Sequence, residues 1–276
     1  MDFVFKRSYR GRVKGVILDW AGTTVDFGCF GPTAVFAKVF ERQGVAITME
    51  QARAPMGLMK RDHLRAIAQM KPVADAWMAV HGKPCSENDV DAMFSDFVPL
   101  QMACLAEYAT PIPGTQTFVS QLRGMKIKVG STTGYTRDMM EVLIPVARQQ
   151  GYEPEATVCP TDVLCGRPSP WMCYRNAEML GVYPMSTMVK IGDTVPDIEE
   201  GLNAGMWTVG LSFSGNELGL TEMEYAALSL TELAAKRKVI AEKLKHAGAH
   251  FVVDGIWECL PIIEFINDLM QRGERP

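Results

Sequence analysis

No apolar run in this 276-residue sequence approaches the roughly eighteen residues that a membrane-spanning helix needs, so no membrane span is expected. The opening stretch MDFVFKRSYRGRVKG has only three consecutive apolar residues before a basic cluster, far short of a secretory signal core; the expectation is a cytoplasmic protein. The seven cysteines include no C-x-x-C pair, and Cys159, Cys165 and Cys173 are not spaced as zinc ligands. Such an odd, scattered set reads as reduced thiols rather than a disulfide framework. Positive charge is in deficit too: 28 Lys and Arg against 32 Asp and Glu leave a formal charge of −4. The sequence-independent attraction on which nucleic-acid binders depend is therefore missing. Internal repeats and low-complexity segments are absent. Hydrophobic side chains, by contrast, make up 47% of the residues, enough for a large core in one domain or in two of unequal size.

Short apolar runs at 13–19 (VKGVILD), 126–132 (KIKVGST), 188–193 (MVKIGD) and 207–212 (WTVGLS) have the character of buried parallel strands. Helical stretches lie between them at 138–150, at 170–180 closed by Gly181, and at 197–204 closed by Gly205. A weaker strand at 250–254 and a last helix at 257–270 complete an alternation that predicts an α/β, doubly wound, mostly parallel sheet. Residues 28–107 break the alternation, since they hold several amphipathic helices and no convincing strand. They are read as an inserted helical cap domain, with the core formed by 1–27 and 108–276. Thr48 and Gln51, and Ser86 and Asp89, have capping-box spacing there, and Val90, Met93, Phe94 and Phe97 form an apolar stripe at helical spacing.

Four segments sit at the ends of expected strands, where ligands gather in open α/β sheets: DWAGTT from Asp19, GSTTG from Gly130, GRP from Gly166, and GDTVPD from Gly192. No G-x-G-x-x-G follows the first strand, which sets aside a dinucleotide-binding dehydrogenase. Phosphoryl transfer to a carboxylate needs a nucleophile, a divalent cation to offset the repulsion of two anions, and donors for the phosphoryl oxygens. Asp19, Asp193, Thr133 and Arg167 supply these groups. Magnesium favours a few hard oxygens, and one oxygen of Asp19, the carboxylate of Asp193 and the backbone carbonyl of Ala21 would suffice, with Asp197 one helical turn on orienting that shell.

A helical wheel over 60–69 puts Lys60, His63, Leu64 and Ile67 on one face, and Arg61, Asp62, Arg65 and Gln69 on the other. A lysine on an apolar face either snorkels to the surface or, desolvated, loses its proton readily and becomes an imine-forming nucleophile. His63, one turn away, is either a proton shuttle or a packed core residue.

With these four motifs in this order, the chain resembles the haloacid dehalogenase superfamily over about residues 13–254. Most phosphatases of that superfamily carry a second aspartate two residues after the nucleophile, to protonate an oxygen leaving group. This chain has Ala21 there. That departure speaks against the alternative, a phosphomonoester phosphatase or phosphomutase, because the alkoxide would leave unprotonated. A non-catalytic phosphate-binding protein is harder still to reconcile with the intact set of Asp19, Lys60, Arg167, Asp193 and Asp197. The stretches DWAGTTVD (19–26), PMGLMKRDH (55–63), GSTTGYT (130–136) and GRPSPWMCY (166–174) are similar to the phosphonatase branch of the superfamily. The resemblance implies hydrolysis of the carbon–phosphorus bond of phosphonoacetaldehyde, magnesium dependence, a homodimer, and a lysine, here Lys60, that binds the aldehyde covalently. It further implies that Thr133, Gly134 and Arg167 hold the phosphoryl group and that Met56, Cys29 and Tyr135 line the pocket.

Overall fold

The computed structural model describes residues 9–276, so most of the N-terminal stretch considered above for a signal core lies outside the described residues. Six strands are present: β1 (Gly15–Leu18), β2 (Lys128–Thr132), β3 (Ala156–Val158), β4 (Met188–Gly192), β5 (Trp207–Leu211) and β6 (Phe251–Val253). They pair in parallel throughout, in the order β3-β2-β1-β4-β5-β6. Every residue of β1, β4 and β5 is buried, because helices cover both faces of the sheet, and that is why these strands read as unbroken apolar runs. All five expected strands are shorter than read, and β1 and β2 lose two residues each at their starts. The Val13 N–H is taken by the Asn267 side chain at 2.7 Å, and Lys126, at φ 61, still belongs to the preceding turn. The three-residue β3 was not expected at all, since ATV between Glu155 and Cys159 is too short to register as a run; its pairing with Gly130, Ser131 and Thr132 defines it.

Residues 28–107 contain α1 (Phe30–Arg42), α2 (Met49–Arg53), α3 (Lys60–Gln69), α4 (Lys71–His81) and α5 (Glu87–Cys104), and no strand. Helices α2 and α5 open at the two anticipated capping boxes. Their apolar faces meet around Phe36 of α1, whose ring lies 3.7 Å from that of His63 and 4.6 Å from that of Phe97, centroid to centroid. Val90, Met93 and Phe97 are buried as the stripe predicts, and Phe94 is half-buried.

The remaining helices are α6 (Thr115–Gly124), α7 (Arg137–Gln149), α8 (Trp171–Leu180), α9 (Val195–Asn203), α10 (Glu222–Ala227), α11 (Leu230–His246) and α12 (Cys259–Gln271). Of these, α6, α10 and α11 have no counterpart among the expected elements. Helix α11 buries only Ile240 and Leu244 in its length, too thin a stripe to show as a period. No helix of the described residues is long and apolar enough to cross a membrane.

Candidate active site

The direction in which successive strands are added reverses at β1: β2 and β3 lie on one side, and β4, β5 and β6 on the other. The segments that leave the carboxyl ends of β1, β2 and β4 therefore open on a shared crevice. Asp19 follows β1 directly, its N–H donating to the Ile191 carbonyl at 3.0 Å, and its side chain is buried. Thr23 and Asn216 hold Asp193 behind it: the Thr23 hydroxyl donates to one carboxylate oxygen at 3.0 Å and the Asn216 N–H to the other at 2.8 Å. Gly215 makes that contact possible, since a Cβ there would fall 2.2 Å from the Asp193 side chain.

Arg167 is the hub of the crevice. Its Nη2 donates to Asp19 at 2.6 Å and to the Thr132 hydroxyl at 2.8 Å, and lies 3.0 Å from Asp197. Its Nε donates to Glu200 at 2.9 Å. Lys190, wholly buried in the middle of β4, donates to Asp197 at 2.5 Å and lies 3.6 Å from Glu200. Asp19, Asp193 and Asp197 can each place one oxygen within 4.8 Å of the others.

Charge is unevenly compensated in this cluster. Burial would raise Asp197, but Arg167 and Lys190 hold its carboxyl below the usual range. Burial, then Asp197, raise Asp19 against the pull of Arg167 and Lys190. Asp193, which accepts from the neutral Thr23 hydroxyl and Asn216 N–H, is pushed well above the carboxylate range by burial and by the neighbouring charges of Asp19 and Asp197. Three hard carboxylates with a shortfall of positive charge at one of them form a donor set that fits a metal ion.

The cap supplies the opposite wall. Lys60, the first residue of α3, is only 4% exposed, and its Nζ sits 4.5 Å from the centroid of the Tyr135 ring. Burial lowers its ammonium from the ordinary 10.5 to about 8, although the nearby Cys29 and Asp19 pull the other way. Gly57, just before α3, has φ 96 and passes so close to the core that a Cβ would lie 2.3 Å from the Thr194 hydroxyl. Its carbonyl accepts from Arg167 at 3.3 Å. Between the two walls is a cavity of about 20 Å³ lined by Asp19, Ala21, Cys29, Met56, Gly57, Lys60, Thr133, Gly134, Tyr135, Arg167 and Thr194. That is room for about one water molecule.

The structure thus gathers Asp19, Ala21, Cys29, Met56, Lys60, Thr133, Gly134, Tyr135 and Arg167 around one space, with Asp193 and Asp197 behind Asp19. His63 stands apart from it. Its ring is stacked on Phe36, its Nε2 bonds the Ala52 carbonyl at 2.8 Å, and burial and Lys60 push it well below the usual histidine range. Burial raises the Cys29 thiol and the Tyr135 phenol well above their ordinary values, so both are neutral. Sequence reasoning missed Thr132, Lys190, Thr194, Glu200 and Asn216. Lys190 left a trace, a charge inside an apolar strand, and Glu200 lies three residues after Asp197 on the same helical face. Asn216 left none.

Residues 13–205 match the model of the haloacid dehalogenase-like hydrolases. Over 99% of both chains, the sequence is 54% identical to a phosphonoacetaldehyde hydrolase-like protein of Syntrophobacter fumaroxidans, and 50% identical to a phosphonoacetaldehyde hydrolase of the same organism. The crystal structure of a phosphonoacetaldehyde hydrolase-like protein from Oleispira antarctica superposes with a TM-score of 0.97 at 39% identity, covering all of both chains. With identity this high across its full length, cap and core together, the chain belongs to the phosphonoacetaldehyde hydrolase family of the haloacid dehalogenase-like hydrolases.

Proposed function

We propose that this protein hydrolyses the carbon–phosphorus bond of phosphonoacetaldehyde to acetaldehyde and inorganic phosphate. One observation carries the reading: a lysine only 4% exposed shares a closed cavity with the carboxylate and guanidinium of a phosphoryl-transfer site, while Ala21 stands where an ester-cleaving relative would carry an acid.

Neutral Lys60 attacks the aldehyde carbon, and uptake of one proton with loss of water leaves a protonated imine. That cation accepts the electron pair of the carbon–phosphorus bond, so the carbon fragment departs as an enamine while an Asp19 oxygen bonds to phosphorus. Arg167, Thr133 and Gly134 hold the phosphoryl oxygens as charge shifts among them. Asp19, the Ala21 carbonyl and Asp193 would hold a magnesium ion, with Asp197 orienting them, and its positive charge would let one anion approach another. Water then attacks the aspartyl phosphate and frees inorganic phosphate. Protonation of the enamine at carbon, followed by hydrolysis of the imine, releases acetaldehyde and restores Lys60. Met56, Cys29 and Tyr135 keep the amine in a poorly solvated pocket, which supports its neutral form. His63, stacked on Phe36 outside the cavity and pushed well below the usual histidine range by burial and Lys60, is a poor proton acceptor, so of its two readings it is assigned the packed core role.

The same reading divides the chain into a core (1–27 and 108–276) and a moving cap (28–107). It includes a homodimer, for which Met78 and Val80, exposed on α4, offer apolar surface. It also places the protein in the cytoplasm, in keeping with seven free cysteines. The test is an assay with phosphonoacetaldehyde and magnesium, following phosphate and acetaldehyde together. Equal yields that vanish in Lys60→Arg support the reading. Turnover of a small alkyl phosphate at a comparable rate refutes it.

A further inference from the structure

Cap and core touch at a second place, away from the cavity. Arg53, the last residue of α2, donates from Nη1 to the carbonyl of Gly28, the first residue of the cap, at 2.6 Å and reaches the core at Asn216, whose side-chain oxygen lies 3.4 Å away. Asn216 answers in the opposite direction, its side-chain amide donating to the Arg53 carbonyl at 3.1 Å. The guanidinium also covers the Phe30 ring, 4.8 Å from its centroid. Asn216 is therefore held from two sides: its side chain by the cap, and its backbone N–H by the Asp193 carboxylate at 2.8 Å. It lies after β5 in a segment pressed onto Asp193 through Gly215, and it is itself only 6% exposed.

We infer that Asn216 is a positioning residue that couples closure of the cap to the metal site: Arg53 seizes the Asn216 side chain when the cap is down, and this fixes the N–H that aims Asp193. This rests on the proposed function in taking Asp193 as a metal ligand and residues 28–107 as a moving cap. The chemistry is that of an outer-shell hydrogen bond, which orients a ligating carboxylate and strengthens its hold on the ion. The link is reciprocal, because whatever closure contributes to ion binding, ion binding contributes to closure. Lys60 takes part in the reaction from the same cap but touches none of these groups, so the clasp and the amine are separable.

Substitution separates the side chain from the backbone donor. Asn216→Ala keeps the N–H that faces Asp193 and loses both bonds to Arg53, whereas Arg53→Ala removes only the guanidinium's half of the clasp and leaves the Arg53 carbonyl to accept from Asn216. Magnesium binding to the full-length protein, measured by calorimetry without substrate, is expected to weaken about fivefold in Asn216→Ala, less in Arg53→Ala, and in the double variant no further than in Asn216→Ala, since that change already removes the whole clasp. In wild type, magnesium should slow hydrogen exchange in peptides spanning 49–57 and 212–219 together, and in Asn216→Ala only in the second. Unchanged magnesium affinity in both single variants would overturn the inference, as would additive losses in the double variant. Lys60→Arg serves as the control. It should bind magnesium like wild type whether or not it turns over, so a failure of the proposed chemistry and a failure of the clasp give different results.

Discussion

At the scale of single residues, the decisive fact is that burial lowers the Lys60 ammonium from its ordinary 10.5 to about 8. Reactivity requires the neutral amine, so kcat/KM for phosphonoacetaldehyde should climb as pH rises toward about 8 and level off above it. The stability consequence has a definite sign. A depressed value means that the folded state resists protonation, so the penalty is absent above 10.5 and present in full below about 8. At about 1.4 kcal/mol per unit, that penalty is on the order of 3 kcal/mol at neutral pH. Lys60→Met should abolish turnover yet unfold at higher urea than wild type at pH 7, with the gain shrinking as pH is raised toward 10. A variant less stable than wild type at pH 7 would show that the lysine is not under this strain. The sequence revealed Asp19, Asp193 and Lys60 because each breaks a local pattern: two acids closing apolar strands, and a cation on an apolar helical face. Glu200 breaks none. An acid in the middle of an amphipathic helix is ordinarily solvated, and only the fold turns it toward Arg167 and Lys190.

The elements differ in how much of their definition is local. Helices α2 and α5 were legible because capping boxes mark their starts, and α3 because its two faces differ in character. Strand β3 and helix α11 were not. One is three residues held by the ladder to β2, and the other leaves nearly all its surface to solvent, so neither bears a pattern that packing must impose. Helix α3 is the element on which the chemistry depends, since it carries Lys60, and Leu64 anchors it one turn along with no exposed surface. Leu64→Ala should cost roughly 2–5 kcal/mol in urea unfolding, through lost burial and the cavity left behind. On the outer side of α3, Arg61 and Arg65 pair with Glu87 and Asp91 of α5 in partly exposed bridges. Glu87→Gln should leave the unfolding midpoint close to that of wild type, because solvent already screens such pairs. If the second change cost as much as the first, electrostatics rather than packing would be holding the cap together.

For the molecule as a whole, the sequence foretold the alternating parallel core, while the helical segment as a separate cap that meets it at a site belongs to the proposed reading. The sequence could not foretell how tightly they close, because that depends on side chains from opposite parts of the chain. The space of about 20 Å³ between Lys60 and Asp19 is too small for phosphonoacetaldehyde as it stands, so we propose that the cap lifts and returns in every cycle. The two linkers run side by side, Val25 bridging to Pro111 and the Asp26 N–H donating to Thr110 at 3.2 Å, and they are the place where the proposed movement would be absorbed. Phosphate together with magnesium should slow hydrogen exchange near Gly28 and across 108–114, and no change at either linker would argue against the movement. The central claim is that an amine of the cap and a carboxylate of the core act on one small molecule. Its most direct measurement is borohydride reduction during turnover of phosphonoacetaldehyde, followed by peptide mapping. The account predicts irreversible loss of activity with a single alkylated residue, Lys60, in the peptide spanning α3. Full activity after reduction, or a label on any other lysine, would contradict it.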